Sequence, residues 1–169
     1  MGTVSRWPPR LRGAVLVVAM LSMPVPAPAF STEAPEGLWF VPPDAAVQIF
    51  DCEALLCGRI VWMLHWRDAA GQIQRDDKNP DAASRSRLLC GLTILWGLRP
   101  SGPGRWEGGS FYNPHDGKTY SVTAEQRSSD AIVARIYKIL PLFGKTKNMR
   151  RVAKLSSEGE CRGAMPADP

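Results

Sequence analysis

The two imidazoles of this sequence, His65 and His115, are its first candidates for acid–base chemistry. Neither stands beside a serine or cysteine in a nucleophile motif, and G-x-S-x-G and H-E-x-x-H are both absent. His115 precedes Asp116-Gly117, a turn signal, so exposure is expected there rather than catalysis. The run Asp76-Asp77-Lys78-Asn79-Pro80-Asp81 gathers oxygen ligands that would suit Ca²⁺, but it lacks the Gly and terminal Glu spacing of an EF-hand loop. A solvated loop with a helix cap is the expectation for it. Four cysteines, Cys52, Cys57, Cys90 and Cys161, include no C-x-x-C, and two histidines give zinc little further support. The residues therefore point to no metal, no cofactor and no catalytic group.

The aromatic and aliphatic residues are more informative. In the run from Arg59 to Trp66, Ile60, Trp62, Leu64 and Trp66 alternate with Arg59, Val61, Met63 and His65, and the first set is expected to point inward. By the same alternation Trp96 joins Ile94, Tyr112 joins Trp106 and Ser110, and Tyr120 joins Val122. Ile60, Trp62, Leu64, Trp96, Tyr112 and Tyr120 would then line a cavity for an apolar or amphipathic ligand. The alternative is an ordinary filled core.

Strands must position these side chains. Short alternating or apolar runs predict strands at 37–42, 45–51, 56–65, 92–99, 104–112, 118–126, 131–138 and 146–153. Turn residues separate them: Pro42-Pro43-Asp44, Ser101-Gly102-Pro103, His115-Asp116-Gly117 and Ser128-Ser129-Asp130. The long polar stretch 67–90 differs. Asn79 reads as a helix cap with Pro80 in the first turn, which predicts a short helix over 80–87. Eight strands joined mainly by hairpins predict an all-β, up-and-down antiparallel barrel, because closure removes exposed edges.

The N-terminus predicts export. Arg6, Arg10 and Arg12 precede a ten-residue apolar run, Ala14 to Met23, and Ala27 and Ala29 form an A-x-A exit before Phe30. These are the parts of a signal peptide over 1–29. A membrane-spanning helix needs about twenty residues, so no transmembrane segment is expected after cleavage. The domain would then run over 30–153, followed by a flexible tail over 154–169. The whole chain has net charge +5; losing three Arg leaves 18 basic against 16 acidic residues, or +2. With no basic stripe, nucleic acid is not an expected partner.

In an oxidising compartment four cysteines favour disulfides. Cys52 and Cys57 flank four residues between two predicted strands, a spacing that sets them opposite each other in a hairpin. Cys90 and Cys161 either pair with each other or stay free.

Several stretches together resemble a known bacterial family. Gly37-Leu38-Trp39 opens the first strand, and Leu56-Cys57-Gly58-Arg59-Ile60-Val61-Trp62 forms the third. Asn79-Pro80-Asp81 and the run from Arg85 to Leu92 follow, then Trp106, Gly108-Gly109, Tyr112-Asn113-Pro114 and Asp116-Gly117-Lys118-Thr119-Tyr120. This order, over about 37–152, resembles the family called domain of unknown function 2147. The chain departs from the pattern at Leu89 and Met149, where Pro and Trp are expected. The resemblance implies an exported β-barrel-like domain and brings no activity with it. The chain is also similar to lipocalin-like barrels, whose Gly-x-Trp strand is covered by a late Arg; that similarity implies barrel-closing roles for Trp39 and Arg151.

The combined expectation is a periplasmic or secreted, non-enzymatic barrel that binds a small apolar or amphipathic ligand. The alternative is a structural or interaction module with a filled barrel, its surface built from 67–90 and its partner an envelope protein.

Overall fold

The structure is a computed structural model that describes residues 1–3, 35–156 and 161. The export segment and its cleavage point at Phe30 lie almost wholly outside the described residues.

Eight strands form one closed antiparallel barrel in sequence order: β1 (Gly37–Val41), β2 (Ala45–Cys52), β3 (Leu55–Met63), β4 (Thr93–Gly102), β5 (Arg105–Asn113), β6 (Lys118–Ser128), β7 (Ala131–Tyr137) and β8 (Lys145–Arg151). Closure is made where Trp39 and Phe40 of β1 pair with Arg151 and Arg150 of β8. Every predicted strand is present, displaced by at most a few residues at its ends. Among the described residues no helix is long and apolar enough to cross a membrane.

The β2–β3 hairpin is tighter than its sequence predicts. Leu55 and Leu56 belong to β3, so the turn is only Glu53-Ala54, both at positive φ (59° and 64°). Two such residues in a two-residue loop match the right-handed twist of the strands. Cys52 therefore faces Leu55, while Cys57 faces Phe50. The disulfide runs diagonally, Cα to Cα 5.9 Å, and clips the hairpin at its tip. A second disulfide joins Cys90 to Cys161.

The segment between β3 and β4 (64–92) contains no helix over 80–87, only a single 3-10 turn at Ala82–Ser84. Its cap is Asp81, whose carboxylate accepts from Ala83 N at 3.1 Å and from Ser84 Oγ at 2.7 Å; these bonds hold the Asp81 carboxyl below its usual range. Asn79 instead turns inward. It accepts from Asp81 N and donates to Asp76. The solvated loop expected here is thus corrected at Asp76, which is 0% exposed. Its carboxylate accepts from Tyr112 Oη (2.5 Å), Asn79 Nδ2 (2.7 Å) and Arg87 Nη2 (3.1 Å). A buried carboxylate is tolerated only when so paired, and here it rivets the segment to β5. The β5–β6 turn adds a second tie. Lys78 Nζ donates to His115 O at 2.8 Å, and a Cβ on Gly117 would sit 1.9 Å from Lys78 O. Gly117 is required for this approach as well as for its φ of +68°.

Of the tail expected to be flexible from 154, only Lys154, Leu155, Ser156 and Cys161 are described; Lys154 and Ser156 are exposed, and the other two side chains make contacts. Leu155 packs against the cluster of Ala46, Val61 and Trp62, Ser156 O accepts from Trp62 Nε1 at 3.1 Å, and Cys161 is buried.

Candidate functional site

A cavity of about 510 Å³ occupies one end of the barrel. Its wall is hydrocarbon: Val47, Ile60, Ile94, Val122, Ala134 and Met149. Polar side chains gather at the rim, where the end of β5 supplies Asn113 and the β1–β2, β5–β6 and β7–β8 connections supply Asp44, His115, Asp116 and Lys138. Lys145, Lys147, Met149 and Arg151 alternate along β8, so the inward side of one strand carries two ammonium groups at the mouth. Among the described residues no carboxylate pairs with Lys138, Lys145 or Lys147. Of the two rim carboxylates on this side, Asp116 is engaged. It accepts from Tyr120 Oη at 2.6 Å and from Lys118 N at 3.0 Å. The Tyr120 bond holds the Asp116 carboxyl below its usual range and pushes the Tyr120 phenol up.

The other end is sealed. Trp39 is wholly buried, and the Arg151 guanidinium lies 4.5 Å from its ring centre. Arg151 also donates to Ser129 O (2.7 Å) and Glu36 O (2.6 Å), tying the β6–β7 turn to the start of β1. Trp39 Nε1 donates to Pro35 O at 2.7 Å, so the buried indole keeps a hydrogen bond.

The sequence that builds this barrel, closed at one end by a stacked Trp–Arg pair and open at the other, matches a known family model. Residues 37–151 fit the family described as uncharacterized protein conserved in bacteria (DUF2147). The chain belongs to this family. A solved structure described as "Protein HP1028 from the human pathogen Helicobacter pylori belongs to the lipocalin family" is similar, with 25% identity and a TM-score of 0.61 over 70% of this chain and 83% of that one. No curated protein matches the chain. Leu89 and Met149, where the resemblance leads one to expect Pro and Trp, both line the cavity.

Of the residues expected to form the lining, only Ile60 and Tyr120 do. Trp62, Leu64, Trp96 and Tyr112 are corrections: for Trp62, Trp96 and Tyr112 a bulge or register shift breaks the two-residue period, and Leu64 lies beyond the end of its strand. On β3 the register against β2 jumps between Ala46–Trp62 and Val47–Ile60, leaving Val61 as the extra residue. Ile60 stays inward while Trp62 turns to a separate cluster with Ala46, Val61, Phe40 and Leu155. Leu64, past the strand end, is 49% exposed. On β4 the pairing with β3 shifts twice near Gly58, so Ile94 and Leu95 line the cavity and Trp96 is 39% exposed. On β5 the bulge between Trp106 and Gly109 brings Phe111 to the cavity and turns Tyr112 to Asp76.

Lys145 and Lys147 are absent from the sequence-derived site. The alternation Lys145, Lys147, Met149, Arg151 could have placed them, since Arg151 was expected to face the Trp39 ring.

Proposed function

We propose that this barrel is an exported, non-enzymatic carrier of a small amphipathic molecule with an anionic head. The observation that carries the reading is a cavity of about 510 Å³, walled by hydrocarbon and rimmed by three lysines that meet no carboxylate among the described residues. That volume lies within the range of small-molecule sites. Binding rather than catalysis is supported by where polarity lies: the interior is apolar and the titratable groups gather at the mouth. Two disulfides suit an oxidising compartment outside the cytoplasm, as does the N-terminal segment.

The test is calorimetric titration of the purified, delipidated chain with oleate. One saturable site per chain is expected. Met149→Trp, which fills the cavity, and Lys147→Glu, which inverts a rim charge, should each weaken binding at least tenfold with folding intact. No saturable binding by the wild type would favour the structural or interaction module instead.

A further inference from the structure

The β7–β8 connection departs from the usual surface chemistry of a water-soluble domain. Ile139, Leu140, Leu142 and Phe143 are between 53% and 81% exposed, four large apolar side chains within five residues. Scattered exposed apolar residues need no explanation, but a contiguous group does. This group is also held in shape. Pro141–Phe143 form a 3-10 turn, and Arg135 reaches across from β7 to donate to Pro141 O (2.7 Å) and Leu142 O (2.8 Å). Phe143 N donates to Leu140 O and Gly144 N to Pro141 O. The carbonyls of Leu140, Pro141 and Leu142 thus have partners within the protein, and Pro141 has no N–H to lose. A turn whose carbonyls are already bonded enters an apolar phase without paying for their desolvation.

Charge and position identify what it would enter. Lys138 and Lys145 bracket the turn, Lys147 follows two residues on, and all three are exposed. Phe143 lines the cavity mouth together with these lysines. An apolar tip collared by cations is the chemistry of insertion at the headgroup level of an anionic bilayer. We infer that the 138–147 connection docks the barrel on an anionic phospholipid membrane, with the cavity mouth facing the lipid. This builds on the carrier reading but does not depend on the cavity being loaded.

The experiment is co-flotation of the purified chain, expressed with its own N-terminal segment, with phosphatidylcholine vesicles containing or lacking 30% phosphatidylglycerol. The test variant is the double substitution Ile139→Ser with Leu142→Ser, two residues outside the cavity wall. Wild type is expected to float with the anionic vesicles and to release as salt rises. The double variant should lose at least tenfold in partitioning while binding oleate as wild type does. Lys138→Gln should cost about fivefold, the equivalent of about 1 kcal/mol per cation near an anionic surface. A Leu142→Trp reporter should shift its emission to the blue on vesicle addition. Equal partitioning of wild type and double variant would overturn docking through this turn, as would equal binding to neutral and anionic vesicles. Concentration-dependent dimerisation abolished by the double substitution would overturn it too, assigning the tip to a second copy of the chain. Loss of oleate binding with vesicle binding retained would count only against the carrier.

Discussion

Replacing Tyr112 by Phe removes one oxygen from a buried network and should be felt in both stability and its pH dependence. Tyr112 Oη donates to Asp76 Oδ1 at 2.5 Å, and both residues are buried. A hydrogen bond to a charged group contributes about 1.5–3 kcal/mol. Arg87, which also holds Asp76, has a half-exposed side chain, and that screening favours a value near 2 kcal/mol. The pH dependence follows from the phenol itself. Burial, and then the Asp76 carboxylate, push it from 10 up to about 12. A group whose folded pKa is raised stabilises the fold fully below its unfolded pKa and loses that contribution as pH climbs through the folded value. The loss should therefore fall between about pH 10 and 12. Two units correspond to at most about 2.7 kcal/mol, in line with the hydrogen-bond figure. The assay is guanidinium denaturation from pH 8 to 11.5 with wild type, Tyr112→Phe and, as a control for the other raised phenol, Tyr120→Phe. Wild type should lose its advantage over Tyr112→Phe as pH rises. A difference below about 0.5 kcal/mol at pH 8, or one that stays constant to pH 11.5, would refute the account of Asp76 as a buried anchor.

The disulfides should differ in worth: by loop length the 71-residue Cys90–Cys161 link contributes about 4 kcal/mol and the five-residue Cys52–Cys57 link about 2. Paired Cys→Ser variants in denaturant melts check the order, and equal losses would contradict it. Trp62→Ala should cost about 3–5 kcal/mol yet leave oleate affinity within about twofold, because Trp62 packs against Phe40 and Leu155 rather than the cavity. Trp96→Ala should change both stability and affinity little, since Trp96 is partly exposed.

Much of the architecture was legible because strands and turns leave local marks. Asp116-Gly117 and the Pro-rich turns marked the breaks, and alternation located all eight strands. The site was less legible because it depends on which face each residue takes, and one bulge inverts that. Gly108-Gly109 on β5 was a readable sign, since glycine inside a strand often marks a bulge. Val61 offers no such sign; its bulge is set by pairing with β2, which no local pattern encodes. The Glu53-Ala54 turn was hidden for a related reason, as neither residue favours the positive φ it adopts. Asp76 is not recognisable as buried from sequence, because a run of polar residues looks solvated until tertiary contacts cover one member. Its partner Tyr112 lies 36 residues away.

On the proposed carrier function, the orientation of an amphipathic guest would follow from one strand. β8 faces Lys145, Lys147, Met149 and Arg151 inward in turn, so cations stand at both ends of the cavity axis. They are not equivalent. At the closed end the Arg151 guanidinium is committed to the Trp39 ring and to two backbone carbonyls. An anion brought there from the cavity would have to displace those bonds and pass the wholly buried Trp39 ring, where desolvation of the new ion costs several kcal/mol. At the mouth, Lys145 and Lys147 stand about 7 Å apart along the strand, as alternate residues must. Both remain hydrated and free of carboxylates among the described residues. An anionic head placed between them keeps part of its water and gains two cations. Meanwhile the tail removes apolar wall from solvent at about 25 cal/mol per Å². Head at the lysines and tail toward Trp39 is therefore the arrangement in which no buried charge is left unpaired. A guest drawn head-first from a docked bilayer through this mouth would arrive in the opposite sense, so on the proposed carrier function the head would turn at the rim where the lysines and Phe143 meet.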